Sequence, residues 1–201
     1  MTSALATVAP SENVRETSTP AEPLRLHIGG RSPKAGWKIL NVQPGPDVDY
    51  VGSCTDLEQF GDGTVAEVYA SHVFEHLNYA QELPHTLKEI NRILETKGKL
   101  YISVPNLECL MQLAMRRDLA FSDRFMVMRM MFGGQVDEYD FHKVGLTWEF
   151  LCYFLSHAGF PYATRVAEHG LFPDTSSMRF VGELISLNVI AHKSTPEEPS
   201  A

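Results

Sequence analysis

A chain of 201 residues, 44% hydrophobic and 21% charged, is long enough to bury one sizeable core, so the composition predicts a single globular domain. Acidic residues outnumber basic residues by 25 to 17, and the basic residues are scattered apart from Arg116-Arg117. This pattern lacks the positive stripe that binds a phosphate backbone, which argues against a nucleic-acid partner. No apolar run approaches the roughly 18 residues of a membrane span, and no secretory signal precedes the domain, so no membrane partner is expected.

The cysteines and the chain ends set the expected compartment and domain boundaries. Cys54, Cys109 and Cys152 are far apart and odd in number, which favours a reducing cytoplasm over a disulfide framework or a zinc knuckle. Residues 1–23 are rich in Ser, Thr, Ala, Pro and Glu without apolar periodicity, and residues 194–201 are similar. We therefore predict a disordered arm at 1–23, a folded domain at 24–193 and a disordered tail at 194–201.

Strands and helices alternate along the predicted domain. The patterns predict strands at 24–28, 37–42, 48–52, 65–70, 99–104, 160–166 and 183–192, and helices at 81–95, 107–115 and 147–158. Lys97-Gly98 predicts the end of the first helix, and Thr147 caps the last. The alternation predicts an α/β fold, a mostly parallel seven-stranded sheet with helices on both faces; the final strands, joined without a long helix, allow an antiparallel member.

The strand predicted at 65–70 ends abruptly in polar, titratable residues. Ser71 and His72 follow it directly, and Glu75 and His76 come next. Open α/β sheets bind ligands in the crevice outside the carboxyl ends of their strands, so this edge is the predicted functional site. Glu75 and His76 also suit a structural role, in which they hold the loop by hydrogen bonds to the backbone.

His72, Glu75 and His76 also match H-x-x-E-H, the inverted zinc-protease motif. That motif requires one helix carrying both histidines toward a metal. Here the pattern begins where a strand ends, and the next helix opens only at Pro84, so the sequence predicts no metal site. A metalloenzyme using His72 and His76 is kept as a third hypothesis.

Several stretches together resemble a known family. LRLHIGG, GWKILNV, ASHVFEHL and KLYISVPN are similar to the corresponding segments of class I S-adenosylmethionine-dependent methyltransferases, especially a small bacterial group. The resemblance spans nearly all of 24–193. It implies a Rossmann-like fold, S-adenosylmethionine as the cofactor and S-adenosylhomocysteine as the product.

The resemblance also implies a set of cofactor contacts, two of which depart from the family pattern. Arg31 stands where the family has the second glycine of its first loop, and Gln43 stands where it has a ribose-binding acid. Arg31 either pairs with the methionine carboxylate or fills the space that the cofactor needs, and Gln43 can accept a hydrogen bond without charge. The full set of implied contacts is His27, Gly29, Gly30, Arg31, Gln43, Asp56, Leu57, Ser71 and His72.

Methyl transfer needs alignment more than acid–base chemistry, because the sulfonium already carries the activation. A base is required only if the acceptor must lose a proton. His72 at the strand end and His142 in the segment 119–146 are the catalytic candidates, each with the alternative of a merely hydrogen-bonded histidine. The segment 119–146 is expected to form an insert or lid over the crevice, and its Met-rich part is compatible with a homodimer.

The sequence thus favours a cytoplasmic methyltransferase that acts on a small molecule or biosynthetic intermediate. The alternative is a methyltransferase-like protein that has lost catalysis and serves as a regulatory or partner-binding subunit, or binds another ligand. Arg31 and Gln43 motivate that alternative.

Overall fold

The computed structural model describes residues 23–194. The predicted arm and tail, apart from their innermost residues, lie outside this range. Within it, every helix is too short or too polar to cross a membrane.

One seven-stranded sheet forms the centre of the fold, in the spatial order β3-β2-β1-β4-β5-β9-β6. The first five strands pair in parallel, whereas β9 runs antiparallel to both β5 and β6. The predicted α/β class and its antiparallel member are therefore confirmed. The strands are β1 (Leu24–Ile28), β2 (Lys38–Asn41), β3 (Tyr50–Val51), β4 (Val65–Ser71), β5 (Leu94–Pro105), β6 (Tyr162–Val166), β7 (Arg179–Phe180), β8 (Glu183–Leu184) and β9 (Ser186–His192).

Four α-helices connect or flank these strands. They are α1 (Glu82–Ile93), α2 (Leu107–Met115), α3 (Phe121–Phe132) and α4 (Trp148–His157). The predicted cap of α4 is present, since the Thr147 side chain accepts a hydrogen bond from the Phe150 amide. The predicted strand 183–192 is divided: β8 pairs with β7 in a small hairpin, and only β9 joins the main sheet.

The first helix ends two residues before its predicted end at residue 95, and the predicted stop at Lys97-Gly98 lies inside a strand. The helix ends at Ile93, and Leu94 already has extended backbone angles and begins β5. Leu94 is fully buried and pairs with Val65 across the sheet. Burial of a leucine in a strand thus outweighs the local helical pattern and the glycine stop signal.

The two faces of the sheet are covered differently. On one face, α1 and α4 bury Leu87, Ile90 and Leu155 against the apolar side chains of the central strands. On the other, aromatic side chains from the segment after β6 pack where a helix was expected: the Phe172 ring lies 4.1 Å from that of His27 and 4.8 Å from that of Tyr69. Over β1 and β4, this face of the sheet is therefore covered by an aromatic segment and not by an α-helix.

The aromatic layer buries the side chain of His27. Its side chain is only 7% exposed, and its Nδ1 is buried without a hydrogen-bond partner. Burial lowers the pKa of His27 to about 4, and the nearby charge of Asp174 offsets this only in part. The folded state therefore holds the imidazole neutral.

This burial predicts a loss of stability in mild acid. The unfolded chain binds a proton at His27 near pH 6.5, whereas the folded chain does so only near pH 4. The contribution of neutral His27 to the free energy of unfolding is complete above pH 6.5. It is lost as the pH falls toward 4, which lowers the free energy of unfolding by about 3 kcal/mol. We expect His27→Gln to flatten the pH dependence of the free energy of unfolding, measured by urea denaturation, while the exposed His157→Gln leaves it unchanged. An equally steep loss in His27→Gln would contradict this account.

Candidate functional site

A cavity of about 550 Å³ opens at the carboxyl ends of β1, β2 and β4. That volume lies within the range of small-molecule and cofactor sites. Its walls come from the glycine turn after β1, the end of β2, residues 52–55 after β3, the turn after β4 and residues 136–140 of the insert. The sheet thus presents its cavity where the sequence predicted the site.

Four of the residues that the resemblance implied as cofactor contacts line this cavity: Gly29, Arg31, Gln43 and His72. The other five, His27, Gly30, Asp56, Leu57 and Ser71, are not part of its wall. His27 and Ser71 lie on the same side of the sheet as Tyr69, under the aromatic layer, and Leu57 is fully buried in the main core. Ser53, Cys54 and Thr55 form the wall in place of Asp56 and Leu57.

The glycine turn after β1 is fixed by close packing. Gly29 has a φ of +75°, and a Cβ there would lie 2.6 Å from Cγ2 of Val73. A Cβ on Gly30 would lie 2.5 Å from Nδ1 of His27. Gly29 therefore brings the chain past the turn after β4, and Gly30 accommodates the buried imidazole rather than a ligand.

Asn41 supports this turn from the end of β2, a role that the sequence analysis missed. Its Nδ2 donates to the Gly30 carbonyl at 2.9 Å, and its Oδ1 accepts from the Gln43 amide at 2.9 Å. The side chain is 7% exposed; its hydrogen bond to Gly30 is buried, and the one from the Gln43 amide is partly buried. Asn41 thus joins the two segments that carry the cofactor positions. A buried-strand pattern that ends in an asparagine was the available signal.

The two departures from the family pattern contact each other. Arg31 donates through Nη2 to Oε1 of Gln43 at 2.6 Å, and the pair is exposed at the cavity. The side-chain oxygen of Gln43 is therefore already engaged by the guanidinium.

His72 lies on the cavity wall, but both of its ring nitrogens have partners. Nδ1 lies 3.0 Å from Oε1 of Glu75, and Nε2 lies 3.1 Å from Oγ of Ser186. Its backbone has a φ of 53°, and its amide donates to the Ser103 carbonyl at 2.8 Å. Burial alone lowers the pKa of His72, but the hydrogen bond and charge of Glu75 outweigh it and raise the pKa. These contacts anchor the turn that follows β4.

His142 does not reach the cavity wall. Its ring packs edge-to-face against His76, with centroids 4.9 Å apart, and its amide donates to the Phe132 carbonyl. Burial lowers its pKa. The residues of the insert that do line the cavity are 136–140, which include Asp137, Glu138 and Asp140. Sequence reasoning expected a lid but chose a residue just beyond the segment that faces the cavity.

His76, Glu82 and Lys143 also line the cavity, in addition to Cys54. Lys143 reaches Glu82 in an ion pair of 3.4 Å between Nζ and Oε2. Cys54 is 8% exposed, and burial raises the pKa of its thiol to about 12, so it stays protonated and unreactive at neutral pH.

Comparisons with known proteins agree with this geometry. A family model described as a methyltransferase domain matches residues 34–102, from the end of the glycine turn through most of β5. Over these residues, about a third of the chain, the sequence is similar to methyltransferase domains. S-adenosylmethionine as the cofactor and methyl transfer as the general activity are what this similarity supports. No curated protein sequence matches the chain significantly.

Solved structures share the fold at low sequence identity. A methyltransferase from Archaeoglobus fulgidus is 13% identical, with a TM-score of 0.55 and 86% of each chain covered. The complex between the Haloferax volcanii Trm112 methyltransferase activator and a methyltransferase matches at 14% identity and a TM-score of 0.52, covering 89% of this chain and 85% of that one. Another match is the CurJ carbon methyltransferase, at 14% identity and a TM-score of 0.49. The match covers 89% of this chain but only 50% of that protein, so this chain spans about half of its length.

The two hydrogen bonds of Asn41 predict a measurable loss of stability in Asn41→Ala. Removing a buried side chain that satisfies a carbonyl and an amide costs about 1–3 kcal/mol, because both partners are left without a hydrogen bond. Asn91→Ala is the matched control, since Asn91 makes an exposed hydrogen bond to the Gly159 carbonyl. We expect urea denaturation to show the larger loss for Asn41→Ala. Equal losses in the two variants would show that Asn41 does not hold the turn.

Proposed function

We propose that this protein is a methyltransferase that transfers the methyl group of S-adenosylmethionine to a small-molecule acceptor in the cavity at the carboxyl ends of β1, β2 and β4. The observation that carries the proposal is the cavity itself. Its volume of about 550 Å³ and its place beside the glycine turn and the end of β2 suit a nucleoside-bearing cofactor.

Within this cavity, the residues fit the parts of the cofactor in a defined order. The backbone of Gly29 lines the cavity, where it can come close to the amino-acid end of the cofactor. The amide oxygen of Gln43 can accept from a ribose hydroxyl. Ser53 and Thr55, whose hydroxyls lie 2.8 Å apart, stand at the wall where the adenine would approach.

The contact between Arg31 and Gln43 gives these two residues a shared role in the proposal. In the structure the guanidinium satisfies the Gln43 oxygen. A ribose hydroxyl can replace it as the donor, which frees Arg31 to pair with the methionine carboxylate. A charge-assisted bond to carboxylate is roughly twice as strong as a neutral one, so the exchange favours the bound state.

The chain's contribution to the reaction is alignment and exclusion of water. The bound cofactor supplies an activated methyl group for an in-line displacement. Because both nitrogens of His72 are engaged, we propose that it fixes the turn after β4 rather than acting as the base. His142 lies behind the cavity wall, so we assign it no direct contact with the acceptor. The insert segment 136–140 limits access of water to the cavity.

The charge of the insert favours a neutral or cationic acceptor. Asp137, Glu138 and Asp140 line the cavity, and the whole chain carries a formal charge of −8. These carboxylates disfavour the phosphates of nucleic acid. A small molecule that enters beside residues 136–140 is the acceptor class that this surface supports.

A second candidate function is regulation through a partner protein, and the Arg31–Gln43 contact is the observation that favours it. A contact that keeps the cofactor acceptor occupied suits a protein that no longer binds the cofactor well. Phe121, Phe125 and Phe132 on α3 are at least half exposed and offer an apolar surface to a partner or a second copy. The Haloferax volcanii structure, in which an activator accompanies a methyltransferase, is a precedent for such a partner on the same fold.

Calorimetric titration with S-adenosylmethionine and S-adenosylhomocysteine decides between the two functions. Binding at micromolar concentration supports methyl transfer and justifies a screen of small acceptors. No heat of binding at millimolar cofactor would overturn the proposal and favour the partner-binding function.

The cofactor role of Gln43 has its own test in Gln43→Ala. Loss of one hydrogen-bond acceptor costs about 1 kcal/mol, so we expect the Kd for S-adenosylhomocysteine to rise about five- to tenfold. Gln112→Ala, on the exposed side of α2, is the matched control and should bind as the wild type does. An unchanged Kd in Gln43→Ala would show that the ribose does not use this residue.

A further inference from the structure

Three residues from two distant parts of the chain converge at the cavity, where His76 forms part of the wall and the other two lie behind it. Glu75 and His76 belong to the 3₁₀ helix that follows β4, and His142 belongs to the insert. One ligand-type atom from each, a carboxylate oxygen or an imidazole nitrogen, lies within 4.8 Å of the other two. From this geometry we infer that Glu75, His76 and His142 bind a divalent transition-metal ion, with Zn²⁺ as the reference ion.

The first support is the state of the Glu75 carboxylate. The residue is 1% exposed, and its Oε2 is buried with no hydrogen-bond partner. Its other oxygen, Oε1, is held by Nδ1 of His72 at 3.0 Å. A buried carboxylate oxygen without a partner is costly, and such atoms in native structures call for an unseen water or ion.

Each of the two histidines has a ring nitrogen available for a metal, and His76 is also oriented as metal ligands usually are. A metal-bound imidazole commonly gives its second N–H to a carbonyl, which fixes the tautomer and the ring orientation. Nδ1 of His76 lies 3.2 Å from the Phe141 carbonyl, which leaves Nε2 with its lone pair free. Nδ1 of His142 is buried with no hydrogen-bond partner, so it is available as a ligand atom.

The ligand separation fits a small ion after a modest adjustment. Zinc–ligand bonds of about 2.1 Å at tetrahedral angles place ligand atoms roughly 3.4 Å apart. The three atoms, at most 4.8 Å apart, must therefore close by little more than about an ångström. Two imidazoles and one carboxylate form a known donor set for zinc, and a fourth position stays open.

His72 takes a supporting position in this arrangement and is not a ligand. Its Nδ1 is engaged with Glu75, and its Nε2 lies beside Ser186. It therefore orients the carboxylate, as outer hydrogen-bond partners do at metal sites. This arrangement differs from the H-x-x-E-H pattern considered from the sequence, because the second histidine ligand is His142 and not His72.

A metal at this position would fix the insert to the sheet. The backbone carbonyl of Glu75 already accepts from the amides of Lys143 and Val144, at 2.7 and 3.3 Å. An ion shared by Glu75 and His142 adds a second, stronger link directly after residues 136–140, which line the cavity. The expected consequence of binding is an ordered loop, whatever the reaction catalysed there.

Titration of the metal-free, tag-free protein with Zn²⁺ tests the site. The wild type should bind one equivalent with micromolar or tighter affinity and show a higher Tm. His142→Gln and Glu75→Gln should weaken binding by more than about tenfold, which is the lower end of what even outer partners of a metal contribute. His85→Gln and His157→Gln are matched controls, since both histidines are exposed on helices away from the cluster.

Hydrogen exchange tests the link to the insert. In the wild type, Zn²⁺ should slow amide exchange in residues 133–144, and it should leave that exchange unchanged in His142→Gln. His76→Gln, which keeps the buried Glu75 intact, provides an independent variant if Glu75→Gln does not fold. No zinc binding by a folded wild type at millimolar Zn²⁺, or equal binding by wild type and His142→Gln, would overturn the site and show a hydrogen-bonded polar cluster only. Binding without slower exchange would overturn its role in fixing the insert.

Discussion

The rest of the structure depends on the burial of β4 between β1 and β5. Val68 and Ala70 face the helices and Tyr69 faces the aromatic layer, so neither side of this strand meets water. A strand buried on both faces cannot shift its register, because a slip by one residue would exchange its two environments. The place where β4 ends is therefore fixed, and so is the point at which His72 and the following turn leave the sheet. Every wall of the cavity is positioned relative to that point.

The Arg31–Gln43 contact shows how two unusual residues can be mutually consistent. Each one alone weakens an expected cofactor anchor: Arg31 brings bulk to a glycine position, and Gln43 removes a negative charge. Together they satisfy each other at 2.6 Å in an exposed position. An exposed pair of this kind contributes little to stability, because water competes for both groups. It can therefore open at small cost, which makes the pair compatible with a cofactor that competes for the same atoms.

Much of the fold followed from local patterns, and much of the site did not. The alternation of Leu24–Ile28 and the periodicity of Leu107–Met115 gave the observed element bounds, because the pattern there agrees with tertiary burial. At Leu94 local and tertiary preferences disagree, and the sheet prevails. The bond between Asn41 and Gly30 and the meeting of His142 with His76 depend on how loops cross in space. Sequence spacing carries no information about such crossings. The strand ends marked the region of the site, but only the folded chain showed which side chains face the cavity.

Glu75 and His142 each bury a polar atom without a hydrogen-bond partner next to the cavity, which is energetically costly. A carboxylate as buried as Glu75 needs compensation, and His72 reaches only one of its two oxygens. The Glu75 side chain is itself almost fully buried, so solvent cannot supply the second partner easily. The insert brings His142 to this place, and its imidazole also has an unpartnered nitrogen there. Each of these buried groups is unfavourable without a partner, whereas a cation bound between Glu75 and His142 would satisfy both. The same argument explains why a glutamate is compatible with a core position that a leucine could fill. A leucine could not hold the insert beside the cavity, whereas Glu75 can.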